Sequence, residues 1–286
     1  MKKAASFALG CKVNQYESEA IAELFAEKGY EIVGIDEEAD VYVINTCTVT
    51  NFGDKKSRQL IRKVKRQNEN AIVAVVGCYA QTAPKELMEI AGVNLVIGTK
   101  DRAQIVEMVE QYDRANGVEN HVSDIMKERV FEPLSIQKLA NRTRAYLKIQ
   151  DGCSQYCSYC IIPYARGPIR SREPQEVVAE VKRLAENGFK EVVLTGIHVA
   201  SYGKDRRDTS LLDILKQVHE VEGIERIRFS SIEPNVVTEE FAQTMAALPK
   251  VCDHFHLSLQ SGCDETLKRM NRHYTTEEYL AACGLL

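Results

Sequence analysis

The sequence predicts an α/β protein in two parts, an open parallel α/β sheet domain followed by a partial, incomplete β/α barrel. Two patterns carry this reading. From residue 4 to residue 112, short apolar runs alternate with helix-length amphipathic segments, as the strands and covering helices of a parallel sheet do. Beyond residue 145, β-then-α units recur about every 30 to 35 residues, the spacing of a β/α barrel. A third observation marks where chemistry sits: three strands of the first part each end in a cysteine, and the first strand of the second part runs into three more.

In the first part, Ala4–Leu9 reads as a strand and Glu17–Lys28 as a helix ended by Gly29. Val41–Asn45 reads as the next strand, followed by a helix from about Asp54 to Arg66. Ala71–Val76 is β-branched and short enough to be a buried strand. A weaker strand at Leu95–Ile97 precedes a helix from Asp101 to about Tyr112. Residues 1–113 thus form the first domain. The polar stretch 114–138 lacks a sustained period and reads as a connector that can hold short local elements. Residues 139–286 form the second domain.

There, Ala145–Ile149 reads as a strand, and a helix over Gln175–Glu186 ends at Asn187-Gly188. Strand Glu191–Thr195, helix Leu211–Val221, strand Arg226–Ser230, a helix from about Thr238 to Leu248 and strand Phe255–Leu259 follow. Four strands are too few to close a parallel barrel around a core, so the chain is expected to be part of a longer protein.

The length of 286 residues suits two domains, each with its own core. Hydrophobic content of 44% and charged content of 27% fit a soluble globular protein. No apolar run reaches the roughly 18 residues needed to cross a bilayer, and the start MKKAASFALGCKVNQ is too short in apolar residues for a secretory signal. A cytoplasmic location and no membrane partner are therefore expected. In a reducing compartment, clustered cysteines point to metal ligation or catalysis rather than disulfides.

Cys153-Ser-Gln-Tyr-Cys157-Ser-Tyr-Cys160 places three thiols within eight residues, with no nearby fourth cysteine or histidine to close a zinc or electron-carrier site. Three soft ligands can hold three irons of a 4Fe-4S cube and leave the fourth iron open to a ligand. Cys11, Cys47 and Cys78 follow strands whose carboxyl ends share one sheet edge, where such sheets bind ligands. Each alone reads as a small buried apolar residue. Three at equivalent positions read as a second cluster site. Cys252, Cys263 and Cys283 read as ordinary.

Lys55, Lys56, Arg58, Arg62, Lys63, Lys65 and Arg66 lie on one helix with a single acid, Asp54. Lys138, Arg142, Arg144, Lys148, Arg166, Arg170 and Arg172 form a second basic stretch with only Asp151. Such runs read either as solvated faces or as contacts to a polyanion, despite a net charge of −4. At the barrel edge, the loops after the strands offer Thr195-Gly196, Ser231 to Glu233 and Gln260-Ser261-Gly262. Glu233 is a carboxylate able to grip a ribose hydroxyl or an amine, while Gly196 and Gly262 either allow close backbone approach or make turns. His198, His254 and His256 are not included among the candidate ligands.

The Cys-x3-Cys-x2-Cys loop with Tyr159 before its last cysteine resembles the radical S-adenosylmethionine superfamily. With Gly10-Cys11-Lys12-Val13-Asn14-Gln15, Asn45-Thr46-Cys47-Thr48-Val49-Thr50, Gly77-Cys78-Tyr79-Ala80-Gln81 and LSLQSGCDETLKRMNR, the chain resembles the methylthiotransferases. It is most similar to the subgroup acting on threonylcarbamoyl-adenosine at tRNA position 37.

That resemblance implies an N-terminal methylthiotransferase domain, a radical SAM core and a tRNA-processing transferase. It implies two 4Fe-4S clusters, one on Cys153, Cys157 and Cys160 and an auxiliary one on Cys11, Cys47 and Cys78. It also implies S-adenosyl-L-methionine, whose contacts are expected at Tyr159, Thr195, Gly196, Glu233 and Gln260. The expected partners are the tRNA anticodon stem-loop and a reducing donor such as a flavodoxin. The family's RNA-gripping carboxy-terminal β-barrel is not seen in this sequence. The alternatives are methylthiolation of isopentenyl-adenosine or of a ribosomal protein side chain, and a non-catalytic two-cluster electron-transfer or scaffold protein.

Overall fold

The structure is a computed structural model that describes residues 1–48, 51–136 and 144–286, with residues 51, 52 and 54 described by their backbone alone. The chain divides into two compact units, Met1–Ile136 with Tyr164–Gly167, and Gln137–Pro163 with Pro168–Leu286. The expected boundary at residues 138 and 139 lies outside the described residues, as do Lys138, Arg142, Val49 and Thr50.

The first unit runs β1 (Lys3–Ala8), α1 (Lys12–Glu27), β2 (Glu31–Ile32), β3 (Val41–Thr46), α2 (Asn51–Gln67), β4 (Ile72–Gly77), α3 (Cys78–Thr82), α4 (Pro84–Met88), β5 (Leu95–Ile97), α5 (Ile105–Gln111) and β6 (Glu119–Asn120). The strands form one sheet in the order β2-β1-β3-β4-β5-β6, every neighbouring pair parallel. All six residues of β3 and five of the six in β4 are buried, which a parallel sheet covered on both faces requires. Alternation then divides the core. Tyr42, Ile44, Val73 and Val75 join Ile61 and Val64 of α2 on one face, while Val41, Val43, Ala74 and Val76 join Ile21 and Phe25 of α1 on the other. Each such aliphatic side chain contributes about 1.5–3 kcal/mol on burial.

Register sets the sheet edge. Ala8 lies opposite Asn45, and Thr46 opposite Gly77, so β1, β3 and β4 end nearly level. α1 starts at Lys12, earlier than the expected Glu17, because its first turn buries polar groups that mask the apolar period. The Asn14 amide donates to Leu9 O (2.8 Å) and Thr46 O (3.0 Å). The stretch expected to be a connector instead completes this unit as far as Ile136. β6 pairs with β5, Leu134 and Ile136 are buried, and the Tyr16 hydroxyl donates to Leu134 O at 2.6 Å.

The second unit holds β7 (Arg144–Asp151), α6 (Ile162–Arg166, whose last three residues group with the first unit), β8 (Arg170–Ser171), α7 (Pro174–Glu186), β9 (Glu191–Gly196), α8 (Leu211–His219), β10 (Arg226–Phe229), α9 (Glu239–Ala246), α10 (Asp264–Arg269) and α11 (Thr276–Leu285). β10, β9 and β7 are parallel neighbours, and β8 turns back antiparallel on the end of β7. Helix starts follow local chemistry: Ser210 and Thr238 cap α8 and α9, and Thr275 with Glu278 forms a capping box for α11.

The strand expected over Phe255–Leu259 does not form. Its backbone pairs with the β10 side, among the described residues, through the isolated parallel bridges Ile227 to Val251 and Ile232 to Leu257, with a bend at Asp253 between them, while the Phe255 ring packs 5.7 Å from that of Phe229. No helix among the described residues is long and apolar enough to cross a membrane.

Candidate metal centres

The first thiol group sits where the sheet order changes direction. Chain order runs outward from β1 to β2 and then from β3 onward on the other side, the switch point at whose carboxyl edge open parallel sheets bind ligands. Cys11 follows β1, Cys47 follows β3 and Cys78 begins α3 directly after β4. Two glycines make room. A Cβ on Gly10 would lie 2.6 Å from Cys47 Cβ and 2.8 Å from its Sγ, and Gly10 holds φ at +109°. Gly77, at φ 95° and ψ −159°, passes equally close to Asn45 and Thr46.

Cys11 is exposed, Cys47 half-buried and Cys78 buried. Beneath them lies a buried polar network. Arg166, fully buried, donates Nε to Cys78 Sγ (3.1 Å), Nη2 to Asn14 Oδ1 (2.7 Å) and Nη1 to Glu17 Oε1 (2.5 Å). The Cys11 thiol donates to the same Asn14 Oδ1 at 3.5 Å. Glu17 also pairs with Arg102 (2.6 Å), and Arg102 pairs with Glu132 (2.5 Å). Burial pushes the Cys78 thiol above its ordinary value, and Arg166 opposes that rise.

The second thiol group lies on the loop after β7. There the pairing register with β9 shifts between Lys148 and Gln150, and Gln150 knits the strand ends together: its amide donates to Asp151 O and Gly152 O and accepts from His198 N. The loop is gripped by the turn after α10. Ser158 N donates to Met270 O (3.0 Å), and Asn271 Nδ2 to Tyr156 O (3.0 Å). Arg272 Nη1 donates to Cys157 Sγ at 3.1 Å, and its guanidinium lies 5.1 Å from the Tyr274 ring centre. Burial pushes the Cys153 thiol up to about 11 and also raises Cys160.

Glu233 ties into this group. Its Oε1 pairs with Arg272 Nη2 (2.6 Å) and its Oε2 with His198 Nε2 (3.2 Å). Burial would raise the Glu233 carboxyl, but His198 and Arg272 together hold it below the ordinary value. Thr195 is buried, and Gly196 is pressed against Gln150, whose Oε1 would stand 2.7 Å from a Cβ there. Tyr159 is 52% exposed, within electrostatic reach of Arg272, Cys157 and Cys160. Gln260 is exposed in a left-handed conformation (φ 65°) and has no part in the contacts linking Glu233 to Cys157.

Sequence reasoning missed Arg166, Arg272, Asn14 and Glu17, and it set His198 aside. Among the described residues no three Cys, His, Asp or Glu side chains already surround a common point as metal ligands.

The two basic stretches part company. In α2, Lys55, Lys56, Arg62, Lys63 and Arg66 are exposed, with Lys63 paired to Asp36, while Arg58 donates to the Tyr79 hydroxyl and Lys65 to Ala71 O. Of the described residues in the second stretch, Arg144 is exposed and pairs with Glu191 (3.7 Å), and the other four turn inward. Lys148, Arg166, Arg170 and Arg172 are buried and face Asp151, Glu17, Asp151 and Glu180 respectively.

Comparison with known proteins follows the same division. Residues 3–98 match the family described as "Uncharacterized protein family UPF0004", and residues 147–286 match the Radical SAM superfamily. The chain is 42% identical over 277 residues to the threonylcarbamoyladenosine tRNA methylthiotransferase MtaB of Aquifex aeolicus (strain VF5), covering 97% of this chain and 67% of that protein. The chain belongs to the threonylcarbamoyladenosine tRNA methylthiotransferase family. The MtaB of Bacillus subtilis (strain 168) is 50% identical over 97% of this chain, which spans 62% of that protein's length. The tRNA-2-methylthio-N(6)-dimethylallyladenosine synthase of Dictyoglomus thermophilum is more distant at 36% identity. The radical S-adenosylmethionine methyltransferase TsrM from Kitasatospora setae, solved with tryptophan and a SAM analogue, shares the fold. Its TM-score is 0.67 at 17% identity, over 100% of this chain and 65% of that one.

Membership of this methylthiotransferase family through a radical SAM domain implies a 4Fe-4S cluster and S-adenosylmethionine. The residues fit. Three thiols on one loop form a soft donor set, and Arg272 already directs an N–H at one of the sulfurs, an outer contact of the kind that tunes iron–sulfur sites.

Proposed function

We propose that this chain carries the two catalytic units of a tRNA methylthiotransferase that inserts a methylthio group at carbon 2 of threonylcarbamoyl-adenosine at tRNA position 37. The observation that carries the reading is the presence of two three-thiol groups, each with an arginine donating to one sulfur, in a chain 50% identical to a protein of that name.

Cys153, Cys157 and Cys160 would hold the radical-generating 4Fe-4S cluster, and Cys11, Cys47 and Cys78 a second one. When bound, these clusters and S-adenosylmethionine supply a carbon-centred radical able to take hydrogen from an unactivated aromatic C–H, together with the sulfur that replaces it. The protein's own groups orient and balance charge. Arg272 steadies the Cys157 sulfur and offsets thiolate charge, while Glu233, fixed between Arg272 and His198, offers an acceptor for an amine or ribose hydroxyl. Tyr159 presents an aromatic face suited to the adenine, and Thr195, Gly196 and Gln260 are the further residues assigned to contacts with the cofactor. The exposed face of α2 suits the phosphates of an anticodon stem-loop. A low-potential donor of the flavodoxin kind and a cytoplasmic setting complete the reading.

The test is mass spectrometry of nucleosides from total tRNA with and without the gene. Loss of the methylthio-threonylcarbamoyl nucleoside with accumulation of its precursor is expected; loss of the isopentenyl counterpart instead would overturn the substrate assignment. In purified protein, Cys157→Ala abolishes S-adenosylmethionine cleavage, whereas Cys47→Ala keeps cleavage and loses sulfur insertion. Cleavage that survives Cys157→Ala would reverse the two roles.

A further inference from the structure

We infer that Arg166 is a positioning residue for the cluster assigned to Cys11, Cys47 and Cys78, holding the Cys78 sulfur and setting the charge against which that cluster is reduced. The inference rests on the proposed assignment of those three thiols.

Arg166 is fully buried and four of its hydrogen bonds are fixed: one to Cys78 Sγ, one to Asn14 and two to Glu17. Asn14 also accepts from the Cys11 thiol and donates to the carbonyls of Leu9, two residues before Cys11, and of Thr46, next to Cys47. A single guanidinium thus reaches one sulfur directly and stands one residue away from the anchoring of the other two. Guanidinium does not deprotonate in proteins, so this charge is permanent.

Among the described contacts, Arg166 and Arg102 share Glu17, and Arg102 also meets Glu132. Removing one member changes the net charge beside the sulfur, in a poorly screened interior. Hydrogen bonds to sulfur and local charge are the levers that set iron–sulfur potentials. One-electron reduction adds negative charge, so loss of Arg166 disfavours it, and loss of the Glu17 charge favours it.

The experiment uses the Cys153→Ala/Cys157→Ala/Cys160→Ala background, in which only the first thiol group can load. The parent and its Arg166→Gln, Arg166→Lys and Glu17→Gln derivatives are reconstituted anaerobically with iron and sulfide. Iron and sulfide per chain are measured, and the midpoint potential is followed by electron paramagnetic resonance during dithionite titration. Circular dichroism melts identify any variant that has not folded.

Arg166→Gln shifts the potential negative, Glu17→Gln shifts it positive, and Arg166→Lys, which keeps the charge, stays nearer the parent. A merely structural arginine does not produce opposite signs. Shifts that are absent or of one sign, in a parent that binds iron, overturn the role of Arg166 alone. A parent that takes up no iron overturns the thiol assignment and this inference with it.

Discussion

Gly77→Ala tests how the first thiol group is built. Gly77 adopts φ 95° and ψ −159°, a region open essentially to glycine, and the conformational cost for alanine there is about 1–3 kcal/mol. The added methyl would also sit 2.4 Å from Asn45 Oδ1, 2.6 Å from Thr46 O and 3.0 Å from Thr46 N. The Asn45 side chain can swing away, but the Thr46 atoms are backbone of a central strand paired across to Gly77 itself. Overpacking of this kind costs about another 1–3 kcal/mol, giving roughly 2–6 kcal/mol in all, a large part of the roughly 5–15 kcal/mol a domain possesses. Cys78 is the next residue, so on the proposed assignment the iron taken up by the first thiol group should fall as well. Gly262→Ala is the control: nothing lies within 4 Å, and its stability should move by less than about 0.5 kcal/mol. Urea unfolding followed by far-ultraviolet circular dichroism, with iron counted per chain after reconstitution, reads both effects. A Gly77→Ala protein that unfolds at the same urea concentration as the Gly262→Ala control would refute the argument.

Three more outcomes are expected. In metal-free protein, Cys153, whose thiol burial pushes up to about 11, is alkylated by iodoacetamide more slowly at pH 8 than exposed Cys263, whose thiol is held down by the backbone N–H of Thr266. The folded state keeps the Cys153 proton that the unfolded state has already released above about pH 9, so stability falls as pH rises from there to about 11; equal alkylation rates by peptide mapping at pH 8 would contradict this. Replacing Lys55, Arg62 and Arg66 together by alanine weakens binding of an anticodon stem-loop RNA and reduces the slope of log affinity against log salt by about 2–3, as measured by fluorescence anisotropy. Thr275→Ala removes the hydroxyl that accepts from Glu278 N in the α11 capping box, leaves the residue-275 N–H to Glu278 Oε2 bond in place, and lowers stability by about 1 kcal/mol in the same urea assay.

The sheet strands that were legible in the sequence are those whose residues face apolar surroundings on both sides. Residues 41–44 and 72–76 are continuous apolar runs within their strands, and a run is readable without knowledge of its partners. Two-residue strands such as Glu31–Ile32 and Glu119–Asn120 are not, because their pairing comes from the neighbouring strand rather than from their own pattern. The six cluster-candidate cysteines were legible from spacing and strand position. The groups around them were not, since a single sequence does not reveal that Glu17 meets a residue 149 positions away or that Arg272 meets Cys157 across 115. Buried arginines looked like a basic surface in sequence for the same reason: the acids that neutralise them are distant or, as with Asp151 beside Lys148, point inward with them.

Because Tyr164–Gly167 groups with Met1–Ile136, the first unit is not a continuous piece of chain, and its interior has a completion time as well as a composition. During synthesis at about 5–20 residues per second, some seconds pass between the appearance of Ile136 and that of Arg166. Over that interval the Cys78 sulfur lacks its guanidinium, and Glu17 has Arg102 but not Arg166. The order of synthesis is therefore written into the surroundings of that sulfur: the polar shell of Cys78 is completed by a segment made after Cys153, Cys157 and Cys160.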